Sequence, residues 1–364
     1  MTLDDLKNFR QLDSKTPGHP EYEPDLGIEV TTGPLGQGIA NAVGMAIAQK
    51  YLAARFNKPG FDIFDYNIYT ISGDGCLQEG LSGEASSLAG HLALDNLIVI
   101  YDDNHITIDG STELSFTEDV LKRYEAYGWH TQTVGGDGND MEAFEKAIQN
   151  AKNEKSRPSI IKLRTHIGFA SPNFQDSEKA HGSPLGEDEI KLIKENYGWD
   201  PNKSFQVPQE ALENMRKYLD KGKQLQNQWQ ENFDKYAEKF PKLAQEIKQA
   251  RDGKLPVDLN EILPQFDPQK TMATRKASGA VLNAVMPHLP LVLGGSADLT
   301  PSNNTWFEGA ENFTRDNRLG RYIRYGVREH ALGAIMNGIS VSGLLRPYGA
   351  TFLVFSDYMR PAVR

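Results

Sequence analysis

Apolar residues follow two different periods in the first 205 residues of the chain. Short, strand-like apolar runs alternate with stretches in which apolar residues recur at helical spacing, as in residues 35–56. The runs are Tyr66–Ile71, Leu97–Tyr101, Thr131–Val134 and Ser159–Leu163. Alternating strands and helices are typical of an α/β fold with a parallel sheet. We interpret the apolar stripe of residues 35–56 as the face that packs on this sheet.

The pattern changes between residues 208 and 251, where Gln, Lys, Glu and Asn dominate and apolar residues are widely spaced. This composition predicts surface helices, interrupted at Phe240–Pro241 because proline cannot continue a helix. Residues 252–268 are rich in proline and aspartate, which predicts a linker. We interpret the lysines and glutamates of these helices as a solvated face.

A second α/β pattern occupies residues 272–364. It predicts a helix over Thr274–Val285, a strand over Leu289–Leu293, a loop over Gly294–Leu299, a strand over Tyr322–Tyr325 and a helix starting near Val327. The sequence therefore predicts a first domain at residues 1–240, a linker at 241–271 and a second domain at 272–364.

Composition and charge narrow the class of protein. The chain has 364 residues, enough for about two domains, and is 39% hydrophobic. The net charge of −10 argues against general nucleic-acid binding, although a local Arg or His cluster can still capture a phosphate. No apolar run is long enough to predict a membrane span, and the start of the chain lacks the pattern of a signal peptide. The single cysteine, Cys76, fits a reducing cytoplasm, and we interpret it as a small packed residue.

A Gly-Asp-Gly turn follows the strand-like run that ends at Ile71, and Asn104 follows the next run. Two parallel strands would present Asp74 and Asn104 at their C-terminal ends, where open α/β sheets bind ligands. Carboxylate and amide oxygens suit a magnesium-type cation, which completes its shell with phosphate and water. Gly75 has no Cβ, so a diphosphate can approach the backbone N–H groups. A turn or a cap explains either oxygen ligand alone; together they predict a metal–diphosphate site.

Eight motifs in succession resemble those of the thiamine-diphosphate-dependent transketolase family. They are Lys15–Pro20 (KTPGHP), Thr31–Gly38 (TTGPLGQG), Gly73–Gly80 (GDGCLQEG), Tyr101–Asn104 (YDDN), His181–Gly186 (HGSPLG), Ala273–Ser278 (ATRKAS), Gly294–Ser302 (GGSADLTPS) and Tyr325–His330 (YGVREH). The first five resemble the family's diphosphate-binding domain and the last three its pyrimidine-binding domain. The resemblance implies two parallel-sheet domains of the thiamine-diphosphate-binding type, joined by a helical linker.

The resemblance also implies a set of cofactor-binding residues. Asp74, Asn104 and the carbonyl of Ile106 would hold Mg²⁺, Ca²⁺ or Mn²⁺. Glu329 would hydrogen-bond the aminopyrimidine ring. From the residue alone, an ordinary glutamate in the first turn of a helix is an alternative interpretation. The other implied cofactor contacts are Gly33, Leu35, Gly75, His181, Asp298, Phe352, Phe355 and Tyr358. The last three recur at i, i+3 and i+6, a spacing that core residues also show.

Further residues resemble the family's substrate-binding and interface positions. His19 and His181 would line the substrate channel, where His181 would also move protons. Arg275 and Ser302 would bind the substrate phosphate. Glu79 and Glu84 resemble acids of a dimer interface, although ordinary exposed helix acids explain them equally well.

The activity implied is the transfer of a two-carbon ketol unit from a ketose phosphate to an aldose phosphate, in the pentose phosphate pathway or the Calvin cycle. The resemblance further implies that the chain is truncated at both ends, lacks the N-terminal part of the first domain, and holds an incomplete second domain. We therefore expect a homodimer or a complementary C-terminal chain as partner. A non-catalytic fragment, one subunit of a split enzyme, and dihydroxyacetone synthase remain alternatives, whereas deoxyxylulose-phosphate synthase fits the first and fifth motifs poorly.

Overall fold

The computed structural model describes residues 1–136 and 138–364. The strands of the first domain are β1 (Ile68–Gly73), β2 (Leu97–Asp103), β3 (Ile106–Thr107), β4 (Gly110–Ser111), β5 (His130–Val134) and β6 (Ser159–Arg164). Four of them form a parallel sheet in the order β1-β2-β6-β5, and β3 pairs with β4 in a short antiparallel hairpin. This confirms the predicted parallel α/β fold, because each of the four predicted runs overlaps a strand of this sheet.

Helices surround this sheet and link it to the second domain. They are α1 (Leu3–Lys7), α2 (Gln37–Phe56), α3 (Asp74–Gln78), α4 (Gly80–His91), α5 (Val120–Ala126), α6 (Met141–Asn153), α7 (Glu187–Asn196), α8 (Gln209–Lys239), α9 (Pro241–Arg251) and α10 (Leu259–Ile262). Helix α2 is almost entirely buried, as its apolar stripe predicted. It begins after Gly36, whose φ of +80° suits a residue without a side chain.

The polar segment forms the two helices expected, with the break at Phe240 and Pro241 as the first residue of α9. Only the C-terminal end of α8 is buried, through Phe233 and Tyr236. Helix α9 is tied to α2 by a two-pronged ion pair from Arg55 to Glu246, at 2.7 and 2.8 Å. None of the helices within the described ranges combines the length and hydrophobicity needed to cross a membrane.

The second domain is a three-stranded parallel sheet in the order β8-β7-β9. Its elements are α11 (Thr274–Val285), β7 (Val292–Ser296), α12 (Thr300–Asn303), β8 (Tyr322–Arg324), α13 (Glu329–Val341), β9 (Arg346–Ala350) and α14 (Arg360–Val363). The predicted strand Leu289–Leu293 starts too early, and the predicted loop from Gly294 is wrong over its first three residues. Gly294 and Gly295 lie inside β7, since they pair with both β8 and β9. Glycine is needed there because a Cβ would lie 1.9 Å from a carbonyl oxygen of β9 or β8, respectively.

The two domains pack through a close crossing of α2 and α13. A Cβ on Gly44 would lie 2.1 Å from the carbonyl oxygen of Ile335, and one on Gly338 would lie 1.9 Å from that of Asn41. Glycine at both positions therefore lets the two backbones touch. A single apolar core runs through the α2–α13 crossing and both sheets.

Candidate functional site

Asp74 is the first residue of α3, directly after β1. Gly73 at the end of β1 pairs with Asp102 near the end of β2, which places the loop after β2 beside Asp74. The Asp74 carboxylate is 3% exposed. It accepts hydrogen bonds from the hydroxyl of Tyr101 and from the backbone N–H of His105, the latter at 3.0 Å. Burial raises the pKa of Asp74, and burial also raises that of the Tyr101 hydroxyl that donates to it.

The loop after β2 carries the second predicted metal ligand. The side-chain oxygen of Asn104 accepts the N–H of Ile106 at 2.9 Å, which closes a tight turn. His105, between them, has a φ of +64°. The neighbouring carboxylate of Asp103 is also buried, but it has a cationic partner in Lys162, at 3.1 Å. Among the residues that the structure describes, Asp74 receives only O–H and N–H donors that carry no formal charge, so its buried negative charge has no direct counter-ion there.

A divalent cation fits this donor set. Asp74, Asn104 and the Ile106 carbonyl provide a carboxylate, an amide oxygen and a peptide oxygen, the hard oxygens that Mg²⁺ and Ca²⁺ prefer. A cation there would offset the cost of burying Asp74. Within residues 1–136 and 138–364, no group of three or more His, Cys, Asp or Glu side chains is arranged to hold a metal.

A glycine-rich turn, residues 33–38, lies beside Gly75, the residue that follows Asp74. A Cβ added to Gly75 would lie 3.2 Å from Cδ1 of Leu35, so these two residues are in contact. Leu35 is 51% exposed, and its side chain therefore stands at the surface beside Gly75. A Cβ on Gly33 would similarly lie 3.2 Å from Cβ of His19. Leu35 therefore lies close to Gly75, the residue after Asp74, and His19 lies close to Gly33.

His181 reaches the same region through its loop. Arg10 donates from Nη1 to the carbonyl of Gly182 at 3.3 Å. A Cβ on Gly18 would lie 3.1 Å from Nε of the same Arg10. Both His19 and His181 are exposed. Arg10 therefore joins the two segments that carry the predicted substrate histidines, a role that nothing in the sequence indicated.

Glu329 is the first residue of α13 and is buried, with 9% exposure. Thr351 donates a hydrogen bond to its Oε1 at 3.1 Å. The N–H of Ala331 donates to Oε2 of Glu84 at 3.0 Å, so a glutamate of α4 satisfies one free N–H at the start of α13. The neighbouring His330 contacts Gln37 of α2, with 2.9 Å between Nε2 of the histidine and Nε2 of the glutamine. Contacts from the first domain thus fix the helix end that carries Glu329.

The predicted aromatic residues form a row on the surface. Phe355 and Tyr358 lie in a 3₁₀ helix, Leu353–Met359, which Phe352 caps. With three residues per turn, i and i+3 side chains stand above one another, and the ring centroids are 5.9 and 6.2 Å apart. Phe352 is 37% and Tyr358 66% exposed. Because these rings are exposed, the i, i+3, i+6 spacing does not indicate core residues here. The rings remain accessible to a ligand or partner.

The three remaining predicted residues are exposed on the second domain. Asp298 follows β7 with a φ of +57°, next to Ala297, whose N–H donates to the end of β9. Arg275 lies in the first turn of α11 and Ser302 lies in α12. These two helices meet where a Cβ on Gly279 would lie 2.9 Å from the carbonyl oxygen of Asn304. Arg275 and Ser302 are therefore carried by neighbouring helices.

Of the two acids predicted for an interface, Glu84 accepts the hydrogen bond from the N–H of Ala331 within the same chain. Glu79 is exposed between α3 and α4, and its Cβ would be 3.1 Å from a Cβ on Gly36. Sequence reasoning missed the contact of Tyr101 with Asp74, although Tyr101 stands in one of the motifs. It also missed Thr351, for which the sequence carries no signal.

Comparison with known proteins matches both halves of the chain. Residues 1–256 match the family described as "Transketolase, thiamine diphosphate binding domain", and residues 270–364 match "Transketolase, pyrimidine binding domain". Transketolase 1 of Saccharomyces cerevisiae is 52% identical over 372 residues, covering 100% of this chain and 54% of its own length. The transketolase of Halalkalibacterium halodurans is 48% identical, with the same shares covered.

Solved structures show the same correspondence. A Pichia stipitis transketolase in complex with sedoheptulose 7-phosphate has a TM-score of 0.96 and 49% identity, covering 100% of this chain and 55% of that one. The Leishmania mexicana transketolase gives a TM-score of 0.96 at 48% identity, covering 100% and 54%. The chain thus spans about half the length of the relatives that it matches.

Proposed function

Because the chain belongs to the transketolase family, we propose that it binds thiamine diphosphate with Mg²⁺ and serves the transfer of a two-carbon ketol unit from a ketose phosphate to an aldose phosphate. Ca²⁺ or Mn²⁺ would substitute for Mg²⁺. One observation carries the proposal: the buried Asp74 carboxylate has no direct counter-ion among the described residues and lies beside the turn of Asn104 and Ile106 and next to Gly75. The family's diphosphate-binding domain covers these residues.

The remaining proposed cofactor contacts are those that the resemblance to the family implies. Thiamine diphosphate, when bound, supplies an acidic thiazolium carbon and an electron sink. Glu329 hydrogen-bonds the aminopyrimidine nitrogen, and Thr351 holds Oε1 so that the carboxyl group faces one way. The aromatic row Phe352, Phe355 and Tyr358 stacks on the pyrimidine ring. Gly33, Leu35 and Asp298 complete the surroundings of the cofactor by backbone approach, apolar support and a carboxylate near the thiazolium.

Sugar phosphates are the proposed substrates. Solved relatives carry sedoheptulose 7-phosphate, xylulose 5-phosphate and fructose 6-phosphate. In this chain Arg275 and Ser302 bind the substrate phosphate, where the planar guanidinium suits two phosphate oxygens. His19 and His181 bond sugar hydroxyls, and His181 also moves a proton.

A second polypeptide completes the proposed site. The aromatic row is exposed in the single chain, and a second copy or a complementary C-terminal chain would cover it. Two copies would let the metal site of one chain face Glu329 of the other. The protein would act in the cytoplasm, in the pentose phosphate pathway or the Calvin cycle. The proposed diphosphate domain spans residues 1–240, the linker 241–271 and the pyrimidine domain 272–364.

Calorimetric titration with thiamine diphosphate in the presence and absence of Mg²⁺ tests the proposal. The control variant is Asp62→Asn, since Asp62 is exposed and lies outside the loop after β2. Wild type and this control are expected to bind thiamine diphosphate only with Mg²⁺ present. Asp74→Asn keeps the size of the side chain, removes its charge, and is expected to weaken binding at least 100-fold. Equal binding by wild type and Asp74→Asn, or binding that ignores Mg²⁺, contradicts the metal site. No binding by folded wild type contradicts cofactor binding by this chain.

A further inference from the structure

A groove of about 590 Å³ lies between α11, α12 and β8, on the second domain. Two cations, Lys276 and Arg324, line it together with Asn304 and Trp306. None of the described lining residues is acidic. The predicted phosphate ligands, Arg275 and Ser302, are not among the lining residues, and the proposed cofactor site uses none of these side chains.

Neutral groups hold Arg324 in position, and no carboxylate among the described residues pairs with it. Its Nε donates to the side chain of Asn312 and its Nη1 to the hydroxyl of Thr300, both at 2.9 Å. Its guanidinium carbon lies 4.9 Å from the ring centroid of Trp306 and 4.8 Å from that of Tyr322. Neutral acceptors and ring faces fix the group but do not neutralise it. Nη2 donates to no acceptor within the described residues, so both its hydrogens are available to a ligand.

Lys276 and Asn304 supply further donors to the same groove. Lys276 is exposed and has no ion pair with any residue that the structure describes. Asn304 adopts a left-handed backbone with a φ of +54°, which ends α12 beside Gly279 of α11. Its side-chain amide has no hydrogen-bond partner within the same ranges. A fixed guanidinium, a mobile ammonium and an amide together favour a doubly charged tetrahedral anion.

We propose that this groove is a second anion-binding site, which takes the phosphate group of a small phosphate monoester. Arg324 binds two phosphate oxygens, Lys276 neutralises the remaining charge, and Asn304 donates to an ester or hydroxyl oxygen. A groove of this volume has room for the organic part of a pentose or hexose phosphate beside Trp306. The proposal does not depend on the thiamine diphosphate site, because the two share no residue.

Inorganic phosphate and ribose 5-phosphate are the probes, titrated at low ionic strength and followed by calorimetry and by the fluorescence of Trp306. A Trp306→Phe variant identifies the signal of that ring among the four tryptophans. Arg275→Gln removes the predicted substrate phosphate contact, and we expect it to leave phosphate binding at the groove within twofold of wild type. We expect Arg324→Gln and Lys276→Gln to weaken that binding at least fivefold, and Arg324→Lys to restore part of it.

The outcomes separate the explanations. Unchanged affinity in both Arg324→Gln and Lys276→Gln overturns the proposal, as does loss of the Trp306 signal in Arg275→Gln alone. Equal displacement by chloride at the same concentration shows general ionic attraction and also overturns it. If Arg324→Gln fails to fold, Lys276→Gln decides the matter, because the exposed Lys276 side chain has no ion pair or hydrogen bond to lose within the described residues.

Discussion

The close crossing of α2 and α13 allows the effect of one added methyl group on the free energy of unfolding to be worked out. In Gly338→Ala the new Cβ would lie 1.9 Å from the carbonyl oxygen of Asn41, where an ordinary contact needs at least 3.4 Å. The helices must therefore separate by about 1.5 Å, which opens the apolar core between the domains. Overpacking costs about 1–3 kcal/mol, and more against a rigid backbone, while replacing glycine in a helix returns about 1 kcal/mol. We expect a net loss of about 2 kcal/mol.

Gly222→Ala is the matched control. Gly222 lies inside the exposed part of α8, and a Cβ there meets nothing within 4 Å. The same substitution should stabilise the protein by about 0.5–1 kcal/mol, because alanine loses less backbone entropy than glycine. Urea unfolding followed by circular dichroism and tryptophan fluorescence measures both variants. A Gly338→Ala protein as stable as wild type would refute the close-packing argument. Since α13 begins at Glu329, we also expect this variant to bind thiamine diphosphate more weakly.

Three further substitutions test individual interactions. Glu246→Gln leaves the half-buried arginine of α2 without its counter-ion, so we expect a loss of about 1–2 kcal/mol in urea unfolding, against no change for the exposed Glu231→Gln. Tyr325→Phe removes a buried hydroxyl that has no partner among the described residues. We expect stability to be retained or to rise by up to about 1 kcal/mol, and a clear loss would reveal a partner for the hydroxyl. A hydrogen bond from Ser156 lowers the pKa of Glu154 to about 2. The ionised Glu154 carboxylate contributes its full stabilisation of the folded state above the unfolded pKa of 4.5, and this contribution declines as the pH falls towards 2. The difference in stability between wild type and Glu154→Gln should therefore narrow over that range.

Strands β2 and β6 of the first domain could be predicted nearly to the residue because buried parallel strands are continuous apolar runs. β2 is mostly buried, and β6 is buried over its first three residues. β1 starts two residues later than predicted and extends to Gly73, since its pairing with β2 continues to Asp102.

Strands β7 and β9 of the second domain were harder to predict than β8, because close packing, and not side-chain hydrophobicity, selects their residues. β7 ends in two glycines and a serine, and β9 contains Pro347 and Gly349, residues that normally indicate turns. β9 was missed entirely. It lies at the edge of the sheet, where proline is tolerated, and a side chain at Gly349 would collide with Met336 of α13.

The motifs indicated which residues to examine, but not how they contact one another. Asp74 and the turn after β2 could be expected to meet, since parallel strands end at one edge. The contacts of Glu329 with Thr351, and of α13 with Glu84, join residues 22 and 247 positions apart. No local pattern records such pairs, because tertiary packing alone brings them together.

Deuterium exchange at C2 of thiamine diphosphate tests the central claim most directly, because it measures cofactor activation without any sugar. The chain is saturated with thiamine diphosphate and Mg²⁺ in D₂O, quenched at intervals, and the remaining C2 proton is counted by NMR. General acid–base catalysis contributes about 10²–10⁴-fold, so wild type should accelerate exchange strongly, and Glu329→Gln should lose at least 100-fold while keeping cofactor affinity within a fewfold. Exchange equally fast in wild type and Glu329→Gln would contradict the role given to Glu329 and the cofactor site built around it.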